Sequence, residues 1–243
     1  MGLNFATAVN GMRTDQQRIN IASNNLSNIQ TTGFKEQLTT HIDGAGGNNY
    51  TPTLKTNVNA SPGPKQSTDR SLDVTAPKDS FIPVQTDQGV GYVTSDSFNV
   101  DGQGNLVQQA TGNPVLGQNG PIQTGTTEPS DVSIKSNGQV ISETSEGTTV
   151  VGQIELARFQ NPGGLRRGRN GNLFQTANTG QPNFAQPKSQ NRKPLQSGIL
   201  EQSNIQFEQE TIDLQQIQRS YQMNARHFSV RNQMLRLVAS LAG

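Results

Sequence analysis

The chain has 243 residues, a net charge of +1 and only 30% hydrophobic residues, with no cysteine and no tryptophan. These values exclude disulfides, thiol chemistry and Cys–zinc sites, and they give no electrostatic footprint for nucleic acid. No apolar run approaches the roughly 20 residues that span a bilayer, so membrane insertion is not expected, nor is a single core that uses the whole length.

The first stretch, MGLNFATAVNGMR, lacks a basic start followed by an unbroken apolar run, so no cleaved secretory signal is expected. Phe5, Ala8, Met12, Asp15, Ile19, Ala22, Leu26 and Ile29 then follow alternating steps of three and four, a heptad seam. The spacing predicts an assembly helix over 1–33, stopped by Thr31-Thr32-Gly33 with Gly33 as a left-handed cap. Away from the seam lie Asn20, Ser23, Asn24, Asn25, Ser27 and Asn28. A solvated helix face normally carries Lys and Glu. Amides can bond to other amides and to backbone without the cost of burying charge. A helix packed by other chains on several sides favours such a surface. The ends therefore read as polymerisation elements, set against an ordinary polar surface as the simpler alternative.

Residues 34–71 lose all period and carry breaker-rich runs such as GAGGNNYTPTL, which predicts an extended arm. From 72 to 187 the pattern is β, punctuated by Asp101-Gly102, Asn119-Gly120, Asn137-Gly138 and Asn170-Gly171. DVSIKSNGQVIS reads as a hairpin, and QIELARF as a buried strand. Residues 188–204 form a return segment, and 205–243 a second assembly helix with Leu214, Ile217, Tyr221, Asn224, Phe228, Arg231, Leu235 and Val238 on one seam. Glu201, Glu208, Glu210 and Asp213 at its start, with Arg219, Arg226, Arg231 and Arg236 further on, complement the helix dipole. Ser203 or Asn204 is a plausible N-cap.

The expected fold class is α+β: a mainly-β central domain flanked by N- and C-terminal coiled-coil-like α-helices. An antiparallel seam register follows from setting a against d positions. It pairs Phe5 with Val238, Ala8 with Leu235, Met12 with Arg231, Asp15 with Phe228, Ile19 with Asn224, Ala22 with Tyr221, Leu26 with Ile217 and Ile29 with Leu214. The helices could belong to one chain or to neighbours.

Catalytic equipment is sparse. The imidazoles are His41 and His227, and no HExxH, GxSxG or Walker loop occurs. Neither an enzyme nor a cofactor or metal site is expected. Arg166-Arg167-Gly168-Arg169 has no interleaved aromatics and reads as a solvated loop. The competing class is a secreted β-rich protein that binds or hydrolyses glycans, though without Trp a sugar-stacking platform is poorly supplied.

Asn24-Asn25-Leu26-Ser27-Asn28 followed by Thr31-Thr32-Gly33-Phe34-Lys35 resembles the N-terminal signature of bacterial flagellar rod and hook proteins. Ser71-Leu72-Asp73-Val74, GYVTSDSFNVDGQGNLV over 91–107, SGILEQSNI over 197–205 and Gln218-Arg219-Ser220-Tyr221 are similar to further segments of that family. Departures fall at Ser95, where the family often has Arg, and at Ser80-Phe81-Ile82. The resemblance favours the proximal-rod type, with the distal-rod type next. It implies an axial subunit of the basal body, exported unfolded by the flagellar type III apparatus without a cleaved signal and polymerised helically into the periplasmic rod that transmits torque. Its partners would be copies of itself, other rod proteins and the export apparatus. The residues expected at the assembly interface are Phe5, Met12, Ile19, Asn24, Asn25, Leu26, Asn28, Ile29, Leu214, Ile217, Tyr221, Asn224, Phe228, Leu235 and Val238.

Overall fold

The computed structural model describes residues 3–42, 53–144, 147–187 and 193–241. It has a mainly-β body with an N-terminal helix, α1 (Leu3–Ser27), and a C-terminal helix, α2 (Phe207–Leu241). The strands between them are β1 (Gln37–Ile42), β2 (Thr53–Val58), β3 (Lys65–Ser67), β4 (Asp73–Thr75), β5 (Ile82–Thr86), β6 (Gly89–Val93), β7 (Ser95–Val100) and β8 (Leu106–Gln108). They continue with β9 (Leu116–Gly117), β10 (Gly120–Pro121), β11 (Val132–Ile134), β12 (Gln139–Thr144), β13 (Gly147–Gln153), β14 (Leu156–Arg158), β15 (Arg166–Arg167), β16 (Leu173–Phe174), β17 (Asn183–Ala185), β18 (Gln196–Ser197) and β19 (Ile199–Glu201). The segment expected as an extended arm thus carries β1, β2 and β3. Most of its run 44–54 lies outside the described residues.

Two compact units divide the chain. One gathers 1–29, 37–57 and 205–243; the other gathers 30–36 and 58–204. In the first, α1 and α2 run antiparallel. Asp15 Oδ2 accepts hydrogen bonds from Ser220 Oγ and Asn224 Nδ2, each 2.9 Å, and Asn25 Nδ2 donates to Glu210 Oε1 at 2.9 Å. Gly11 lies so close to Asn224 that a Cβ there would sit 3.0 Å from its amide nitrogen. This register is not the expected one. Asn224 faces Gly11 and Asp15 instead of Ile19, and Asp15 meets Ser220 and Asn224 instead of Phe228, an offset of about one to two turns. The expected register set Asp15 opposite Phe228, about one turn from Arg231, whereas here Ser220 and Asn224 bond its carboxylate. Asp15 is buried, and leaving it unbonded costs more than one apolar pairing returns.

Helix α1 also stops earlier than expected, at Ser27. Ser27 Oγ and Asn28 Nδ2 both donate to the Asn24 carbonyl, at 2.9 and 2.8 Å, in place of continued helix. Gly33 is not the cap. Its φ is +66°, its N–H donates to Glu201 O at 2.7 Å, and any Cβ would collide with the Ser95 carbonyl oxygen. At the other end, the Asn204 side chain does not cap α2. It accepts from Glu36 N and donates to the carbonyls of Asn59 and Ser61.

The second unit holds two four-stranded sheets, ordered β15-β16-β6-β5 and β18-β4-β7-β8, and a three-stranded sheet β11-β12-β13. Its main core joins Val74, Ile82, Val84, Phe98, Leu106, Val115, Val132, Val140, Ile154 and Leu156 with Leu195 from the return segment. A second cluster packs Phe159 edge-on against Phe81 and Tyr92, with ring centroids 5.6 and 4.9 Å away. The hairpin at 131–142 forms as β11 and β12, closed across Asn137-Gly138 with Gly138 at φ +83°. QIELARF is not one strand. β13 ends at Gln153, Ile154 bridges to Gly117, and β14 resumes at Leu156 with Ile154, Leu156 and Ala157 wholly buried.

Candidate assembly interface

Packing of α1 is centred on Thr14, Asp15, Ala22 and Asn25, which are buried, while Met12, Ile19, Leu26 and Ile29 are half-buried. The stripe against α2 is therefore small and polar, rotated from the apolar seam. Asn25 is 1% exposed and ties three elements together. Its Nδ2 donates to Gln37 O and Glu210 Oε1, and its Oδ1 accepts from Gln37 N. Asn24 is exposed and Asn28 half-buried, and both belong to the helix stop described above. The side chain of Phe5 lies outside the described residues.

On α2, Ile217 is buried, and Leu214, Tyr221, Asn224 and Phe228 are half-buried. Exposure then climbs along the helix. Leu235 is 51% and Val238 61% exposed, alongside Met234, Leu237 and Leu241. Five large apolar side chains in water over the last turns form an apolar surface of the kind that marks an interaction site. Of the expected residues, the structure brings Asn25 and Asn224 into the helix–helix contact through Glu210, Asp15 and Gly11. Leu235 and Val238 have no such cover among the described residues.

A second polar cluster lies in the β unit and went unnoticed in the residues themselves. Lys35 and Glu201, each 2% exposed, form an ion pair, and Lys35 Nζ also donates to Ser61 O at 3.0 Å. Glu201 accepts from Gly63 N at 3.0 Å, and its own N–H donates to Ser95 Oγ at 2.9 Å. Ser95 Oγ shares a hydrogen bond with Thr75 Oγ1, which donates to Ile199 O. Both charges are buried, and both are paired and further bonded, as burial requires. The signal was available: Lys35 ends the Thr31–Lys35 signature and Glu201 sits inside SGILEQSNI, though neither segment carries periodicity.

Beside this cluster a cavity of about 460 Å³ is lined by Thr31, Phe34, Asp96, Gln108, Thr111 and Asn172, among others. Burial pushes the Asp96 carboxyl up to about 6, against the lowering effect of hydrogen bonds from Gln108 and Ser97, with Asp73 adding a small upward push. The basic loop is not simply solvated. The Arg167 guanidinium stacks 3.6 Å above the Phe34 ring and is pushed down to about 10 by burial, and Arg166 lies over Phe174. No described helix is long and apolar enough to cross a membrane.

Comparison with known proteins adds the following. A sequence profile for "Flagella basal body rod protein" matches residues 5–35, and one for "Flagellar basal body rod FlgEFG protein C-terminal" matches 196–241. The flagellar basal-body rod protein FlgG of Borreliella burgdorferi is 32% identical, with 97% of each chain covered. FlgG of Bacillus subtilis is 28% identical, and the flagellar hook-basal body complex protein FlhP of the same organism 30% identical, again with 97% of each chain covered.

Proposed function

Because the chain belongs to the flagellar basal-body rod protein family, we propose that it is a structural subunit of the bacterial flagellar rod and not an enzyme. The observation that carries this is full-length similarity to FlgG proteins from distant bacteria. The same similarity favours a distal-rod position over the proximal one preferred from sequence, since FlgG is the distal-rod member. None of these relatives supports a glycan-binding or glycan-hydrolysing role.

The finer reading concerns the ends. In the assembled rod, α1 and α2 pack in coiled-coil fashion with helices of other subunits. The half-buried Met12, Ile19, Leu26 and Ile29 and the exposed Leu235 and Val238 supply the apolar contacts, and Asn24 and Asn28 the polar ones. The half-buried Leu214, Tyr221 and Phe228 extend this seam, with Phe5 at its outer end. Asn25, Ile217 and Asn224 hold the pair within the chain. Helix partners cover a surface that water otherwise wets at a cost of roughly 25 cal/mol per Å². The subunit reaches the periplasm unfolded through the flagellar export apparatus, and its neighbours are copies of itself and other rod proteins. The assembly segments are 1–33 and 205–243, with α1 and α2 as their helical parts and the arm, β domain and return segment between them. Immunogold labelling of isolated basal bodies tests the reading. Label along the distal rod is expected, and basal bodies that lack the chain would overturn it.

A further inference from the structure

Strand β13 ends its sheet. The order β11-β12-β13 leaves it paired on one side, and among the described residues only its Gln153 end is covered on the other, by Gln118 N at 3.1 Å and the Gly117–Ile154 bridge. Its sequence is Gly-Thr-Thr-Val-Val-Gly-Gln, with no charge and no proline, and Val150 is 59% exposed. Residues 147–151 therefore offer an open edge of about 17 Å. Folded proteins blunt such edges with charge, proline, brevity or a covering segment, because unpaired N–H and C=O groups recruit another strand.

The other edges of the three- and four-stranded sheets of the β unit are blunted. β15 is two residues long, both arginine. β5 contains Pro83 and is covered where Gln85 N donates to Pro114 O. β8 is covered by the bridge from Val107 to Pro114 and by Leu106 N bonding to Ile122 O. β18 has two residues and β11 three. β13 is the longest strand of the unit, and among the described edges of these three larger sheets it is the long uncharged one left open. Beside its far half lies a cleft of about 280 Å³, lined by Gly117, Asn119, Pro121, Ile122, Val151 and Gly152. It is large enough for one apolar side chain of a strand laid along β13.

We propose that residues 147–151 form an intersubunit edge, which takes an extended, uncharged segment of a second copy by β-sheet addition and seats one of its side chains in this cleft. The inference rests on the reading of the chain as a rod subunit. A contact between an edge and a different segment is heterologous, and heterologous contacts that do not close produce filaments. The edge has no charge to select an acidic or basic partner, so a Thr-, Gln- and Asn-rich strand like those of this chain is its match. Main-chain bonds supply the affinity and the cleft the register.

The test uses the full-length chain carrying Val150→Lys, which places a charge on the edge where the wild-type side chain is already solvated. Unchanged melting of the monomer and a loss of rod incorporation of about tenfold or more are expected. Wild-type incorporation of this variant would overturn the proposal. A thiol-directed photo-crosslinker on Val150→Cys, in a chain with no native cysteine, identifies the occupant. A cross-link to another copy is expected, and a cross-link to a different basal-body protein, or none, would overturn it. Absence of the wild-type chain from basal bodies would instead break the underlying rod reading.

Discussion

Distant parts of this chain meet in two places, and the two meetings differ in kind. In the β unit, residues 33–36 and 199–204 close over a buried ion pair in which Lys35 and Glu201 each have further partners. In the helical unit, α1 and α2 meet along a narrow stripe of Asp15, Ala22 and Asn25, with the last turns of α2 left in water. The first meeting satisfies its own polar groups and buries its own core. The second bonds its buried Asp15 and Asn25 and leaves apolar surface over. A subunit built this way brings a finished body and unfinished ends to its assembly, because two helices sharing a narrow seam gain little stability alone.

The largest expected effect falls on the finished part. Glu201→Leu in the full chain strands the Lys35 charge and should destabilise the β unit by about 3–5 kcal/mol, read by denaturant unfolding. Lys35→Met added to it should recover much of that loss. A single variant as stable as wild type would show the pair to be incidental. Next comes Gly33→Ala, at a backbone φ of +66° with the Ser95 carbonyl where its methyl would go. A loss of about 2 kcal/mol or more is expected, and thermal melting would detect it.

The helical unit should respond less. Asn25→Leu removes bonds to Gln37 and Glu210 and should cost about 1–3 kcal/mol, seen in assembled rods as faster amide exchange in 207–220 while β5 and β6 keep their protection. Equal loosening of β5 and β6 would mean that the two units do not melt separately.

The smallest effect is a pH dependence. Burial raises the Asp96 carboxyl to about 6 in the folded chain, against about 3.9 unfolded. The folded state therefore binds the proton more tightly. Stability of the β unit should rise as pH falls from 7 towards 5, by about 1–2 kcal/mol from this group, and level off near pH 4. Asp96→Asn should flatten that slope, and an unchanged slope would assign it to another group.

Which features could be read beforehand follows the same division. The helices and the 131–142 hairpin announced themselves through periods of 3.5 and 2 and through Asn137-Gly138. That Asn25 needs hydrogen-bond partners was legible from an amide that a solvated helix would not need, but the partners found, Gln37 and Glu210, belong to its own chain and not to a neighbour. The register was not legible, because seam matching weighs apolar pairs and passes over the donors Ser220 and Asn224 that Asp15 requires. Lys35, Glu201 and Asn204 were visible as signature residues and opaque as physics. Lys35 and Glu201 lie 166 residues apart, and no local pattern reports a contact that the fold alone creates. QIELARF looked like one strand because Ile154 and Leu156 alternate with the polar Gln153 and Glu155, and alternation does not encode the bend between Gln153 and Leu156.

Amide hydrogen exchange on the monomer and on assembled rods measures the difference between body and ends directly. β5, β6 and β7 should exchange slowly in both states. Residues 3–27 and 207–241 should exchange fast in the monomer and slowly in the rod. Helices as well protected in the monomer as in the rod would contradict this, since their surfaces would then need no neighbour.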